Sequence, residues 1–209
     1  MSEELHPPET ITSIILIRHG HTERTEQGRL YSDPQVELTE RGREQAIAAG
    51  RWLADNRPDE ILASTANRVR TTAELIASEA GMDMKVVEEL HEWSVGAWEG
   101  RTYLDIKKSD PEIYQAWVSD PITNAPPGGE SIEGLVERVS ERLAEIVAAH
   151  EGKTVCLVTH AGVIRSILVR ALEMPVRNFW RLSIPVGSIS RVDLSENFAT
   201  VHYTAMKPD

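Results

Sequence analysis

Short apolar runs alternate along this chain with longer segments in which apolar residues recur at helical spacing. The runs "SIILI" (13–17), "EILAS" (60–64) and "TVCLVTH" (154–160) are rich in aliphatic residues and have the length of strands covered on both faces. A chain that alternates such strands with helices folds as helices packed on both faces of a mainly parallel sheet. We therefore expect an α/β fold, a three-layer α/β/α sandwich.

Capping residues predict where the helices begin and end. Thr39 precedes a run of helically spaced apolar positions up to Ala54, and Gly81 is placed to end a helix over 68–80. The turn cluster "PPGGES" leads into a long amphipathic helix from about Ser131 to Ala149. The remaining predicted elements are a helix over 162–172 and strands over 85–89, 188–194 and 200–206, the last two as an antiparallel edge pair.

We predict that the 209 residues form a single domain. The alternation of strands and helices is irregular in two segments. Residues 1–11 are acidic and proline-bearing and are interpreted as a loose tail. Residues 93–130 scatter tryptophans and tyrosines among short helical pieces, one of them opened by Asp110 and Pro111. This segment is predicted to be a small helical lid inserted over one edge, with its tryptophans packing the lid in place.

Charge and composition exclude several classes of partner. The net charge is −11, and no cluster of lysine and arginine stands out, which argues against nucleic acid and anionic membranes as partners. No apolar run approaches the length of a membrane span, and the N-terminus does not have the pattern of a signal peptide. Cys156 stands alone, so the expected location is the cytoplasm. The sequence leaves the oligomeric state open.

The candidate catalytic residues lie where the predicted strands end. Arg18 and His19 close the first strand, and His160 closes the strand at 154–160. Ligands of such sheets bind beyond the carboxyl ends of the strands, so both histidines are expected to face one crevice. Gly20 and Gly162 follow them and are predicted to let the backbone pass close to a ligand.

An anion pocket needs cations, and a departing alcohol needs a proton donor. Arg68 lies at the start of the helix after the second strand and, together with Arg18, is placed to bind phosphate oxygens. Glu92 lies just beyond the third strand and is the candidate general acid, in competition with Glu88, Glu89 and Glu99. The expected ligand is a small anionic phosphorylated substrate.

In these residues the chain resembles the histidine phosphatase superfamily, also called phosphoglycerate mutase-like. An isolated "RHG" would be a weak signal, but six segments follow the family's order and spacing over most of the chain. They are "RHGHT" (18–22), "GRLYSDPQVELTERGREQA" (28–46), "STANRVRTTAEL" (64–75), "LHEWSVGAWEG" (90–100), "PPGGES" (126–131) and "THAGVIR" (159–165).

The resemblance implies roles for individual residues and a mechanism without metal or cofactor. His19 would be the nucleophile that becomes phosphohistidine, and Glu92 would be the general acid and then the general base. Arg18, Arg68 and a protonated His160 would neutralise the phosphoryl group as it is transferred. The residues expected to bind substrate are Arg18, Gly20, Thr22, Thr25, Tyr31, Ser32, Arg68, His160 and Ala161.

Four positions depart from the family pattern. His21 stands where the family often has glutamate, and Thr25 stands where asparagine usually reaches the phosphate. Tyr31 and Ser32 replace a polar and glycine pair that touches substrate in the family. The substrate therefore does not follow from the resemblance. His21 is interpreted as a neighbour of the site rather than as a catalytic group.

The sequence is also compatible with three other functions. A mutase of the same family would return the phosphoryl group to its substrate, although the segment 100–126 is short for an elaborate closing lid. A metal-binding module could use His19, His21, His160 and Glu92, although the arginines would repel a cation. A noncatalytic phosphometabolite sensor would not require the nucleophile and acid. The leading hypothesis is a phosphomonoesterase.

Overall fold

A computed structural model describes residues 10–208 of the chain. Most of the predicted tail, residues 1–9, lies outside the described residues, as does residue 209. Thr10 and Ile11, the last two residues of that tail, are exposed. Within the described range, no helix has the length and apolar character needed to cross a membrane.

The described residues form one sheet of six strands in the order β3-β2-β4-β1-β5-β6. Neighbouring strands pair in parallel from β3 to β1, and β5 runs antiparallel to both β1 and β6. The predicted mainly parallel sheet with an antiparallel edge pair is confirmed. The strands are β1 (Thr12–Arg18), β2 (Glu60–Ala63), β3 (Met84–Val86), β4 (Thr154–Thr159), β5 (Ile189–Leu194) and β6 (Ala199–Met206).

Seven α-helices and two short 3₁₀ helices connect the strands in the described residues. The α-helices are α1 (Glu23–Glu26), α2 (Glu40–Asp55), α3 (Asn67–Ala80), α4 (Tyr103–Ser109), α5 (Pro111–Ser119), α6 (Ile132–Ala149) and α7 (Ala161–Ala171). The 3₁₀ helices span Gly96–Trp98 and Val176–Arg181.

Strand β1 divides the core into two layers. Its residues alternate between the faces of the sheet, so Ile15 and Ile17 pack against α2 and α3, whereas Ile14 and Leu16 pack with residues of α6 and α7. All four are buried, as the apolar run predicted. This arrangement confirms the three-layer sandwich.

The predicted caps fix the ends of three helices. Thr39 and Ser131 precede α2 and α6, and each side chain accepts a backbone N–H from the first turn of its helix. Gly81 ends α3 in the left-handed conformation, with φ of 60°, which favours glycine. These ends were predicted correctly because capping is local chemistry.

The third strand differs from its prediction at both ends. It spans Met84–Val86 rather than 85–89, although Val87 still donates its N–H to the carbonyl of Ala63. Glu89 adopts a positive φ of 60°, and its carbonyl accepts a hydrogen bond from Arg138. The chain therefore leaves the sheet before the apolar pattern ends and turns toward α6.

The predicted lid segment packs its aromatic side chains into the core. Trp93, Trp98 and Trp117 are buried, and the ring of Trp117 stacks on that of Tyr103, with their centroids 5.4 Å apart. The expectation that these tryptophans serve packing is confirmed. Whether the segment moves as a lid stays a prediction.

Candidate active site

The two strand-end histidines lie side by side. Strands β1 and β4 are parallel neighbours in which Arg18 pairs with Thr159, so His19 and His160 leave the sheet together. Their ring centroids are 5.5 Å apart, and both residues are almost fully buried. The sheet order thus brings together two residues that are far apart in the sequence.

Histidine 19 has one ring nitrogen engaged and the other available. Its Nδ1 lies 2.8 Å from the carbonyl oxygen of Gly20, and since a carbonyl only accepts, Nδ1 carries the proton. Among residues 10–208, Nε2 has no hydrogen-bond partner. Burial lowers the pKa of His19 well below its usual value, and the charges of Arg18 and Arg68 lower it further. The neutral ring with a free Nε2 is the nucleophilic form.

Histidine 160 is neutral in this arrangement, which corrects the expectation of a protonated ring. Its Nδ1 lies 3.3 Å from an NH2 group of Arg68, which can only donate, and its Nε2 lies 3.2 Å from the hydroxyl of Ser64. Burial lowers its pKa well below the usual value, with a further contribution from Arg68. The local positive charge therefore comes from arginines.

Arg18 and Arg68 are both anchored through backbone carbonyls. Arg18 donates to the carbonyl of Ile184 at 2.5 Å, and Arg68 donates to that of Asp33 at 2.7 Å. The Nε atom of each is buried without an acceptor in the described part of the chain. Unpaired buried N–H groups are costly, and an anion would satisfy them.

Glu92 is tied to the start of α7. Its Oε1 accepts the backbone N–H of Trp93 at 3.0 Å and that of Gly162 at 2.9 Å. A Cβ atom at Gly162 would lie only 2.3 Å from this oxygen. Gly162 was expected to give clearance to a ligand, but the clearance it provides is for the carboxylate.

Gly20 also has a packing role that the sequence did not reveal. A Cβ atom there would lie 2.2 Å from the carbonyl oxygen of Gly42 in α2, and its N–H donates to the hydroxyl of Thr72. The close backbone approach at Gly20 is therefore to α2. A contact between Gly20 and substrate stays a prediction.

Three hydroxyl groups form a cluster beside Arg68. Thr22, Thr25 and Tyr31 lie within 2.8 to 3.1 Å of one another through their side-chain oxygens. The ring of Tyr31 lies under the guanidinium of Arg68, 4.8 Å from its carbon to the ring centroid, and 6.3 Å from the ring of His19. The structure thus places three predicted substrate-binding residues next to the central arginine.

Ser32 and Ala161, also predicted to contact substrate, lie outside this hydroxyl cluster. The hydroxyl and N–H of Ser32 both donate to Glu99 Oε2, so Glu99, a competitor for the acid role, instead ties the loop of Ser32 to the lid segment. Ala161 is buried at the first position of α7, directly after His160. Contacts of Ser32 and Ala161 with substrate remain predictions.

His21 belongs to the framework around the site. It is 7% exposed, and its Nδ1 lies 2.9 Å from the hydroxyl of Thr39, the cap of α2, while its N–H donates to Gln45. Across residues 10–208, no group of three or more His, Cys, Asp and Glu side chains is arranged to hold a metal ion. Of the two histidines in "RHGHT", His19 therefore lies in the candidate site and His21 lies in the framework around it.

Two residues of this region, Ser64 and Arg165, were not predicted from the sequence. Ser64 follows β2 and hydrogen-bonds His160, and the rule that selected the strand-end histidines would have selected it too. Arg165 lies one helical turn after Ala161. Burial lowers the pKa of Arg165, and the charges of Glu92 and Arg18 act on it in opposite directions. Its spacing from Ala161 was the available signal.

Comparison with known proteins identifies the family of the chain. The model of the histidine phosphatase superfamily (branch 1) matches residues 14–206. The chain belongs to this superfamily. The match spans all six strands except the first two residues of β1, so family membership rests on the whole sheet and not on one motif.

Relatives of the chain include named phosphatases. An adenosylcobalamin/α-ribazole phosphatase of Salmonella typhimurium is 31% identical over 89% of this chain and 92% of its own length. A glucosyl-3-phosphoglycerate phosphatase of Mycobacterium tuberculosis is 32% identical over 89% of this chain and 86% of its own. The enzyme class predicted from the sequence, a phosphatase, is therefore confirmed.

A solved structure has the same architecture. The crystal structure of a putative α-ribazole-5′-P phosphatase from Escherichia coli superimposes with a TM-score of 0.86 at 29% identity. The superposition covers 94% of this chain and 97% of the other. The α/β fold predicted from the sequence is that of the superfamily.

Proposed function

We propose that this protein hydrolyses the phosphomonoester of a small metabolite through a phosphohistidine intermediate on His19. The observation that carries the proposal is the hydrogen bond of 2.8 Å from His19 Nδ1 to the carbonyl of Gly20. It holds the proton on Nδ1 and leaves the Nε2 lone pair free to attack phosphorus.

Two displacements complete the reaction. In the first, Nε2 of His19 forms a bond to phosphorus, the ester P–O bond breaks, and Glu92 gives a proton to the departing oxygen. In the second, Glu92 takes a proton from water, the water oxygen attacks phosphorus, and the P–N bond breaks to release phosphate. The enzyme returns to its starting state without a metal or cofactor.

Arg18 and Arg68 supply the positive charge in this scheme. Their buried, unpaired Nε atoms and nearby NH2 groups would contact the equatorial phosphoryl oxygens. Neutral His160 accepts from Arg68 and so orients its guanidinium. The cations are local, whereas the net charge of the chain is −11. This contrast supports a small phosphorylated substrate and argues against nucleic acid.

The names of the relatives support the substrate class but not one compound. One relative is named as an α-ribazole phosphatase and another as a glucosyl-3-phosphoglycerate phosphatase, so the names share the phosphatase activity but not the compound. We propose a small phosphorylated metabolite on this basis. A cytoplasmic location is part of the same proposal, supported by the single buried Cys156.

A mutase is the second candidate, and product analysis separates the two. A panel of phosphorylated metabolites should release inorganic phosphate with the wild-type protein. Conversion of one phosphoglycerate into another, dependent on a bisphosphate primer and without phosphate release, would contradict hydrolysis. His19→Ala should abolish release, whereas His202→Ala, a half-exposed histidine on β6, should leave it unchanged.

The same assay tests the metal-binding and sensor alternatives. Phosphate release should persist in chelator and should be inhibited by vanadate, an analogue of the transferring phosphoryl group. Loss of activity in chelator with recovery on added zinc would contradict the metal-free scheme. Binding of phosphorylated compounds without any turnover would favour the sensor.

A further inference from the structure

Arg165 is held rigidly at the edge of the candidate site. It projects from α7, and its Nε donates to the carbonyl of Leu182 at 2.8 Å. Its guanidinium carbon lies 5.3 Å from the ring centroid of Trp180 and 5.7 Å from that of Phe179. One hydrogen bond and two aromatic rings therefore fix the position of the guanidinium plane.

The two terminal NH2 groups of this guanidinium have no hydrogen-bond partner in the described part of the chain. Among residues 10–208, no carbonyl or side chain accepts a hydrogen bond from the two terminal NH2 groups of Arg165, and no carboxylate forms an ion pair with it. The residue is only partly exposed, and burial lowers its pKa while the charge of Glu92 raises it. A rigid, partly desolvated guanidinium with free donors is suited to bind an anion.

Arg165 shares one wall with the phosphate-binding arginine. Arg165 donates to Leu182, and Arg18 donates to Ile184, only two residues further along the chain. Arg165 therefore lies next to the proposed phosphoryl pocket. It is hydrogen-bonded there to the segment that follows the second 3₁₀ helix. An anion on Arg165 would belong to the same substrate molecule as the phosphate on Arg18.

The same wall adjoins the proposed proton donor. Trp180 is 40% exposed, and its ring centroid lies 5.8 Å from that of Trp93. Trp93 in turn donates its backbone N–H to Glu92. Because Glu92 would protonate the departing oxygen, the leaving group has to lie on this side of the pocket.

We propose that Arg165 binds a carboxylate on the leaving group of the substrate, with Trp180 as an apolar surface beside it. This inference rests on the proposed function, since it takes Glu92 as the acid that faces the leaving group. The two free NH2 groups match the two oxygens of a planar carboxylate. The enzyme then prefers phosphorylated hydroxy acids to uncharged phosphomonoesters of the same size.

Matched substrates test the preference. Phosphoglycolate and ethyl phosphate differ in one carboxylate, as do 3-phosphoglycerate and glycerol 3-phosphate. Comparing kcat/KM within each pair, and then comparing that ratio between wild type and Arg165→Met, removes the effect of leaving-group acidity. We expect Arg165→Met to lower the ratio by about tenfold or more in at least one pair, the usual effect of losing a charge-assisted hydrogen bond.

Two further variants separate charge from structure. Arg165→Lys keeps the charge but not the fork, so it should recover part of the ratio. Arg170→Met removes an exposed arginine of the same helix and should leave every ratio unchanged. If Arg165→Met lowers kcat/KM equally for both members of each pair, or has no effect, the proposal is wrong.

A binding measurement separates this proposal from the proposed function. Calorimetric titration of the His19→Ala protein with phosphoglycolate and ethyl phosphate reports affinity without turnover. A preference for phosphoglycolate that disappears in His19→Ala/Arg165→Met supports the carboxylate contact even if the wild-type enzyme proves not to be a hydrolase. Equal affinity for the two compounds in both proteins overturns it.

Discussion

Gly162 donates its backbone N–H to Oε1 of Glu92 over 2.9 Å, across 70 positions of sequence. The contact fixes the candidate acid against the first turn of α7, the helix that begins directly after His160. One carboxylate oxygen is thereby held while, in the described residues, Oε2 has no protein partner. This arrangement leaves Oε2 as the oxygen available to exchange a proton with the leaving group and with water.

Gly162→Ala should impair catalysis by displacing that carboxylate. A methyl group there would lie 2.3 Å from Oε1, so either Glu92 or the helix start has to move. We expect kcat to fall by about tenfold to a hundredfold, part of the usual contribution of a general acid. Steady-state kinetics with an alkyl phosphate, together with circular dichroism to check the fold, measures the effect.

A double-variant comparison identifies the cause. In a Glu92→Ala background the clash with the carboxylate is absent and the added methyl group meets only the flexible end of Leu135, at 3.1 Å, so Gly162→Ala should cost little further activity. A full additional loss in that background would mean that Gly162 acts through something other than Glu92.

Tyr31 should contribute more through its ring than through its hydroxyl. Tyr31→Phe keeps the ring under Arg68 and removes one member of a hydroxyl cluster whose two threonines still bond each other, so kcat/KM should change little. Tyr31→Leu removes the cation–π contact, worth about 0.5 to 2 kcal/mol, and should lower kcat/KM and weaken vanadate inhibition. A larger loss in Tyr31→Phe than in Tyr31→Leu would instead assign the hydroxyl to the substrate.

His21 should matter for stability and not for turnover. His21→Ala removes a buried hydrogen bond to Thr39, the cap of α2, and should lower the free energy of unfolding by about 1 to 3 kcal/mol. The kcat of the folded variant should stay close to that of wild type, because the ring bonds the helix cap. Urea unfolding and phosphate release measure the two effects. Unchanged stability with lost turnover would make His21 catalytic.

Acidification should destabilise the protein before its carboxylates titrate. The folded-state pKa values of buried His19 and His160 are lowered, so below the unfolded value of about 6.5 the unfolded chain takes up protons that the folded protein does not. Stability is therefore greatest above that pH and falls as the pH drops toward 5, by up to about 1.4 kcal/mol per pH unit for each histidine.

The variant His160→Asn provides the control for this linkage. It lacks one of the two buried histidines, so its free energy of unfolding should fall less steeply than that of wild type between pH 6.5 and 5. Denaturant unfolding at several pH values measures both slopes. Equal slopes would show that His160 titrates normally in the folded protein.

Local and periodic features of the sequence predicted most of the fold. The alternation of apolar runs gave six strands, and Thr39, Gly81 and Ser131 marked helix ends by chemistry that involves only a few neighbouring residues. The third strand was placed less well: it ends at Val86, and beyond it the carbonyl of Glu89 accepts a hydrogen bond from Arg138, nearly fifty residues away. A hydrogen bond of this kind leaves no periodic signal.

The candidate site was likewise predicted only in part. Its strand-end members could be predicted because parallel strands present their carboxyl ends at one edge, which placed His19 beside His160. The neutral state of His160 depends on its burial against Arg68 and Ser64, and the roles of Gly20 and Gly162 depend on backbone and carboxylate contacts across the fold. These contacts join residues that are far apart in the sequence, so no local pattern predicts them.

Trapping the phosphorylated enzyme tests the central claim most directly. Rapid acid-free quenching of wild type with a phosphomonoester, followed by peptide mass spectrometry, should find a phosphoryl group on His19 that is stable in base and labile in acid. The His19→Ala protein should carry none. With an ester whose leaving group needs no proton, such as p-nitrophenyl phosphate, the phosphoenzyme should accumulate in Glu92→Gln, because the first step then does not need the acid whereas water is activated slowly. Turnover without any phosphoryl group on His19, or with the group on another residue, would contradict the account.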